Sequence, residues 1–293
     1  MKSALDDNKI KSLIHLLEDE DISTYELIYS QIIEIGAELM PYLLDAEDNS
    51  VNPLLSYRLK ELYQKLNLQK SIKELESWKN NNSRNLYQGL GILAKFQYPR
   101  LELKKVSEIV NKIRQDLWLE VNDNLTALEK VRILNHLFFN VYNFKGDIKD
   151  YHNPENSFIS DVLMRKKGNP LNLSAIYSII AQSVNIPIYG VNMPRNYMLV
   201  YVEKLYSQPI EKVKSNDVLF YINPFNNGEI YSLNDVMKYL RNINIEPNKK
   251  YYLPCSNITT IQRSINNLIN IYSNKGNDQK ADEFKMLFEA LRD

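Results

Sequence analysis

The sequence is poor in the residues that hold metals and form cross-links. Its 293 residues include one cysteine, Cys255, and three histidines. A single thiol cannot form an internal disulfide, and so few thiol and imidazole ligands cannot build a cysteine-rich zinc site. The composition therefore predicts neither a metal nor a cofactor, and it fits a reducing compartment.

Neither sign of charge is in excess, and long apolar runs are missing. Lysine plus arginine and aspartate plus glutamate number 36 each, so no global field attracts nucleic acid or an anionic membrane. No stretch approaches the roughly 18 apolar residues of a membrane helix, and the first residues lack the apolar segment of a secretory signal. We therefore expect a cytoplasmic protein with no nucleic-acid or membrane partner.

Glycine is scarce as well. The chain has 8 glycines, whereas average proteins contain about 7% glycine. A helix-rich chain with few tight turns is indicated. The length and the 44% hydrophobic content are sufficient for a substantial core and for two or three modules.

Hydrophobic periodicity divides the chain into three parts. Residues 1–83 show helical spacing throughout and resemble a small HEAT-like stack, which the run Asn80–Asn82 would end. Strand character follows residue 185, in β-branched and aromatic runs that predict an antiparallel sheet: Ile186–Val191, Tyr197–Val202 and Val218–Ile222. Residues 251–293 predict one helical hairpin of tetratricopeptide size.

Two consecutive helices are predicted before the sheet. Asn156 and Ser157 can cap the first, and Gly168 can end it in the left-handed conformation. Asn169 can cap the second, with Pro170 at the first helical position, where its missing N–H has no consequence. Regularly spaced apolar residues after Pro170 predict that this second helix is central to the core.

The segment Asn156–Tyr201 resembles the SirB type of the transglutaminase-like superfamily. The stretches Tyr87–Leu103, Asn143–Ser157 and Tyr221–Leu233 resemble flanking parts of the same proteins. The resemblance implies a helix-rich α+β fold in which residues 84–250 form a papain-like core with an antiparallel sheet. A helical module (1–83) would precede this core, and a tetratricopeptide-like hairpin (251–293) would follow it.

The resemblance also implies where the catalytic cysteine, histidine and aspartate of the superfamily would lie. In this sequence all three positions carry other residues. The nucleophilic cysteine would lie at the helix start, which Pro170 occupies; the histidine corresponds to Asn196 and the aspartate to Asn223. An amide cannot shuttle protons near neutral pH, and it lacks the charge that stabilises an imidazolium. We expect the three positions to converge as a vestigial site.

A binding or regulatory scaffold for a protein or peptide partner is the function that these replacements favour. Helical modules that flank an α/β core create grooves, and four residues near the triad positions are candidates for lining one: Asn169, Asn172, Arg195 and Tyr197. A structural subunit of an assembly is another alternative, and it would expose an apolar patch to its partners.

A relocated active site is the alternative enzyme hypothesis. Cys255 or Ser174 would supply the nucleophile of a hydrolase or acyltransferase. Cys255 precedes the cap of the C-terminal hairpin, where an apolar residue commonly packs against the helix start. Ser174 lies one turn after Pro170, where a hydroxyl usually bonds to the preceding turn. His152 is a turn-rich loop residue that we expect to face solvent.

Overall fold

A computed structural model describes residues 6–206, 210 and 212–292. The chain divides into two compact units, Met1–Glu74 and Leu75–Asp293. This division does not test the three-part organisation with boundaries at 83/84 and 250/251, which stays a prediction. No described helix combines the length and the apolar composition that crossing a bilayer requires.

The first unit is helical. It contains α1 (Asp7–Leu16), α2 (Ile22–Ile35), α3 (Met40–Asn49) and most of α4 (Pro53–Asn81). Side chains from all four helices form one apolar core, with Leu17, Ile32 and Leu59 completely buried. Arg58 donates from Nη1 to the carbonyl oxygens of Leu17 and Asp19, both at 2.7 Å, so it satisfies carbonyls left free at the end of α1.

The second unit begins in the last turns of α4 and mixes helices with short strands. Its helices before the sheet are α5 (Leu86–Gln97), α6 (Leu103–Glu120), α7 (Ala127–Asn135), α8 (Ile159–Arg165) and α9 (Pro170–Ser183). A π-helical stretch, His136–Val141, continues α7. Two-residue strands β1 (Lys145–Gly146) and β2 (Lys167–Gly168) pair in parallel.

An antiparallel sheet of four strands follows, in the order β3-β4-β5-β6. The strands are β3 (Ile188–Val191), β4 (Met198–Val202), β5 (Val218–Asn223) and β6 (Glu229–Tyr231). Val200 lies opposite Tyr189 on one side and Tyr221 on the other, which sets the register of the three longer strands. The predicted antiparallel sheet after Ile186 is thus confirmed, and the fold is the helix-rich α+β fold that the sequence predicts.

The remaining helices follow the sheet. They are α10 (Leu233–Asn242), α11 (Lys249–Tyr252), α12 (Asn257–Asn274) and α13 (Asp278–Glu289). Ser256 caps α12 through the N–H of Thr259, and Gly276 turns the chain between α12 and α13 with a φ of 70°. The predicted helical hairpin is confirmed; its assignment to the tetratricopeptide class stays a prediction.

Helix α9 is buried on almost every side, from Leu171 to Ser178. Tyr177 is fully buried, packs edge-on against Phe138, and donates a hydrogen bond to Asn135. The helix also contacts β3 and β4. The sequence therefore correctly predicts α9 as the central helix of the core.

Candidate functional site

A cavity of about 310 Å³ opens at the N-terminal end of α9. Its walls come from α9, the loop before α8, the turn between β3 and β4, and α12. We call it the α9 cavity, and its lining residues are Tyr151, His152, Asn169, Pro170, Leu171, Arg195, Asn196, Tyr197, Arg263, Asn267, Asn270, Ile271 and Asn274.

The α9 wall has the predicted helix-start geometry. Asn169 Oδ1 accepts the N–H of Asn172 at 2.8 Å, and Asn169 Nδ2 donates to Ser157 Oγ at 2.9 Å. Pro170 occupies the first helical position and has no N–H. The N–H of Leu171, like that of any residue in a first turn, has no intrahelical acceptor. The wall thus offers one backbone donor and the positive end of the helix dipole.

The turn between β3 and β4 forms the second wall. Arg195 has a φ of 59°, in the left-handed region, and its side chain is exposed. Tyr197 is buried, and its hydroxyl lies 2.7 Å from Thr260 Oγ1 on α12. This hydrogen bond ties the turn to α12 at the residue that follows Asn196.

Arg263 joins the α12 wall to the same turn. Its Nη1 atom donates to Asn192 Oδ1 at 2.5 Å and to the carbonyl oxygen of Met193 at 2.6 Å. Burial lowers the pKa of this guanidinium below its ordinary value. It nevertheless remains positively charged near neutral pH, because an arginine titrates several units above it.

The charge on the cavity wall has one sign. Two guanidiniums and five asparagine amides line it, and none of its described lining residues is aspartate or glutamate. The wall is therefore rich in hydrogen-bond donors and suits a ligand with acceptor atoms or negative charge.

A second cavity lies beside the first. It is also about 310 Å³, is lined partly by α10, and is called the α10 cavity here. Asn196 and Asn223 both line it, and Asn196 lines the α9 cavity as well. Pro170 and Asn196 thus share one cavity, and Asn196 and Asn223 share the next. Their assignment as a vestigial triad stays a prediction.

The predicted groove residues differ in their surroundings. Asn169, Arg195 and Tyr197 line the α9 cavity. Asn172 is completely buried, and its Oδ1 atom has no hydrogen-bond partner in the described part of the chain. It supports the helix start from inside the core and presents no surface to a groove.

Several cavity residues were not predicted from the sequence. Arg263, Asn267 and Asn270 come from α12, and no local pattern distinguishes them from other polar residues of an amphipathic helix. His152 was expected in a solvent-facing loop; it is exposed, and it also lines the α9 cavity.

Cys255 and Ser174, the candidate nucleophiles of a relocated active site, lie in surroundings that do not favour nucleophilic attack. The Cys255 sulfur is 3.6 Å from Thr260 Oγ1 and 3.7 Å from Tyr197 Oη. Burial raises the pKa of this thiol above its ordinary value, so the unreactive protonated form is favoured. Ser174 is completely buried, and its hydroxyl has no hydrogen-bond partner among the described residues. Over residues 6–206, 210 and 212–292, no group of three His, Cys, Asp or Glu side chains is arranged to hold a metal ion.

Residues 102–266, more than half of the chain, match the transglutaminase-like superfamily, and the chain belongs to this superfamily. A UPF0162 protein of Xylella fastidiosa (strain 9a5c) is 23% identical over 196 residues, which are 65% of this chain and 66% of that protein. A UPF0162 protein of Pasteurella multocida is 32% identical over 101 residues, 34% of this chain and 37% of that protein.

Similarity extends to a eukaryotic protein. F-box only protein 21 of Homo sapiens is 25% identical over 160 residues, 55% of this chain and 23% of that protein. The chain spans less than two thirds of the length of each relative named here. No solved structure matches the chain significantly.

Proposed function

We propose that this chain is a non-catalytic transglutaminase-like protein that acts as a binding or regulatory scaffold for a protein or peptide partner. The observation that carries the proposal is Pro170 at the start of α9, where the nucleophile of the superfamily is expected. None of the described residues that line the α9 cavity is a cysteine, serine or threonine. The cavity therefore has donors for binding but no cysteine, serine or threonine nucleophile among its described lining residues.

Size and chemistry support binding at the α9 cavity. A volume of about 310 Å³ lies at the lower end of the range for ligand pockets. Asparagine amides both donate and accept, so they can pair with the alternating donors and acceptors of a peptide backbone. The helix-start hydrogen bonds and the Arg263 contacts hold three of its walls in place before a ligand binds.

The surroundings of Cys255 and Ser174 argue against a relocated active site. A nucleophile needs a base within hydrogen-bond reach, and no hydrogen bond connects either side chain to a histidine in the described ranges. We therefore expect the purified protein to show no transamidase, protease or deamidase activity, and Cys255→Ser to leave its cellular function intact.

An affinity pull-down from the native host tests the binding role. Asn267→Trp would fill the α9 cavity, whereas Asn266→Trp changes the neighbouring residue on α12, which is exposed and lies outside the cavity. We expect a specific partner to be recovered with the wild type and with Asn266→Trp but lost with Asn267→Trp. Equal recovery with both variants would show that binding does not use this cavity.

A further inference from the structure

Arg263 lines the α9 cavity, and one edge of its guanidinium makes no hydrogen bond to the described part of the chain. A guanidinium has five N–H groups, two of them on Nη1. Both hydrogen bonds that Arg263 makes within the described structure start from Nη1, to Asn192 and Met193. The Nε–H and the two Nη2–H groups make no hydrogen bond within the described structure. Together they form the planar fork that binds both oxygens of a carboxylate at once.

The charge of Arg263 also lacks a counter-ion. No described carboxylate forms an ion pair with Arg263 or with Arg195. By contrast, Arg165, at the end of α8, pairs with both Asp147 and Glu155. This partly buried charge has two neutral acceptors and the Tyr197 ring, 6.0 Å from its Cζ atom, as neighbours, so it has lost hydration without gaining a compensating ion. An anion in the cavity would remove this penalty.

Two further groups on the wall favour the same ligand. Arg195, on the turn that Arg263 holds, adds a second positive charge. Leu171, at the start of α9, adds a backbone N–H at the positive end of the helix dipole. These groups come from three separate elements of the fold and line one cavity.

We propose that the α9 cavity binds a carboxylate, carried by a peptide or by a small organic acid, and that the Nε–Nη2 edge of Arg263 receives it. This inference rests on the proposed binding role of the cavity and names the chemistry of its ligand. Arg263 offers a single free fork, which fits the two oxygens of a carboxylate. A phosphate can also pair with the fork, but its remaining oxygens carry further charge, and the described wall has no lysine to neutralise it.

The test uses the full chain and four probes followed by NMR. The probes are acetyl-Gly-Glu-Gly-amide, its uncharged counterpart acetyl-Gly-Gln-Gly-amide, glutarate and inorganic phosphate. The Nε–H resonance of Arg263 reports contact with the bound anion directly. We expect a saturable shift with the glutamate peptide or with glutarate, and the tighter of the two identifies the source of the carboxylate. Binding should be at least about tenfold weaker for the glutamine peptide, which carries no charge, and weaker for phosphate, whose additional charged oxygens meet no lysine on the described wall.

Three variants separate binding from folding. Arg195→Gln removes an exposed charge with no intramolecular ion pair, so it should fold normally and bind the carboxylate probe about tenfold more weakly. Arg263→Lys keeps the charge but removes the fork, and it should lose the preference for carboxylate over phosphate. Arg114→Gln, an exposed position on α6, should bind like the wild type.

The outcomes also separate this inference from the proposed function. If the glutamine peptide binds as tightly as the glutamate peptide, or if Arg195→Gln binds like Arg114→Gln, the carboxylate assignment is wrong. The pull-down with Asn267→Trp would still decide whether the cavity binds a partner. Tighter binding of phosphate than of either carboxylate would equally overturn the assignment.

Discussion

The Oδ1 atom of Asn169 accepts a hydrogen bond from the backbone N–H of Asn172 at 2.8 Å. Asn172 is completely buried, so its N–H is poorly placed to gain a water molecule in place of the lost hydrogen bond. We predict that Asn169→Ala lowers the free energy of unfolding by about 1–2 kcal/mol or more, the upper part of the range for helix caps. Urea unfolding followed by circular dichroism measures the loss.

Asn277 provides the matched control, because it caps α13 through the N–H of Lys280 and is exposed. Water can solvate the N–H that Asn277→Ala releases, so this variant should lose less, about 0.5–1 kcal/mol. Equal losses for the two variants would mean that burial of the α9 cap contributes nothing to its strength.

The half-buried thiol of Cys255 should react slowly with alkylating reagents. Burial raises its pKa, so less thiolate is present at any given pH than for an ordinary thiol with a pKa of about 8.5. We expect iodoacetamide to label Cys255 more slowly than it labels glutathione between about pH 6 and 9. Rapid stoichiometric labelling near pH 6, with loss of function in Cys255→Ser, would restore the enzyme hypothesis.

The same shift has a consequence for stability. A raised pKa in the folded state means that the unfolded chain releases the thiol proton more readily. The contribution of Cys255 is therefore complete below the unfolded pKa of about 8.5 and is lost as pH rises from there through the folded value. We therefore expect the free energy of unfolding of the wild type to fall more steeply than that of Cys255→Ser as pH rises above about 8.5.

Gly190 in β3 leaves room for the hydroxyl of Tyr197. A Cβ atom at position 190 would lie 1.9 Å from Tyr197 Oη and 2.8 Å from Cζ, and both distances are far too short. We predict that Gly190→Ala lowers the free energy of unfolding by about 1–3 kcal/mol. In a Tyr197→Leu background the cost should fall by about 1 kcal/mol, which a double-mutant cycle measures. Additive effects would show that the clash is relieved elsewhere.

Local contacts explain which parts of the fold could be predicted from the sequence. The start of α9 was predicted correctly because an N-cap joins residues three positions apart. The prediction that Gly168 ends α8 in the left-handed conformation was wrong. Lys166 adopts that conformation instead, with a φ of 59°. Gly168 is required for a different reason, since a Cβ there would lie 2.8 Å from Val162 Cγ1. Close packing is a tertiary property, and the sequence pattern does not display it.

The candidate site likewise depends on tertiary packing that the sequence pattern does not display. Asn169 and Arg195 could be anticipated because they lie within the segment that resembles the superfamily, next to the triad positions Pro170 and Asn196. Arg263 could not, because its role depends on how α12 packs against the turn that contains Met193. The complete burial of Asn172 could not be predicted either, since its place in the first turn of α9 does not reveal which side of that helix is covered.

Restoring groups at the predicted triad positions tests whether Pro170 and Asn196 are placed correctly. In a Cys255→Ser background, Pro170→Cys puts a thiol at the first position of α9, where the helix dipole lowers thiol pKa values. We expect iodoacetamide to label this variant near pH 7 at least about tenfold faster than it labels wild-type Cys255.

Adding Asn196→His should accelerate labelling further below about pH 7, because an imidazolium stabilises a neighbouring thiolate. Asn267→His, on another wall of the same cavity, is the control. If both histidines act equally, or neither acts, position 196 does not correspond to the superfamily's histidine.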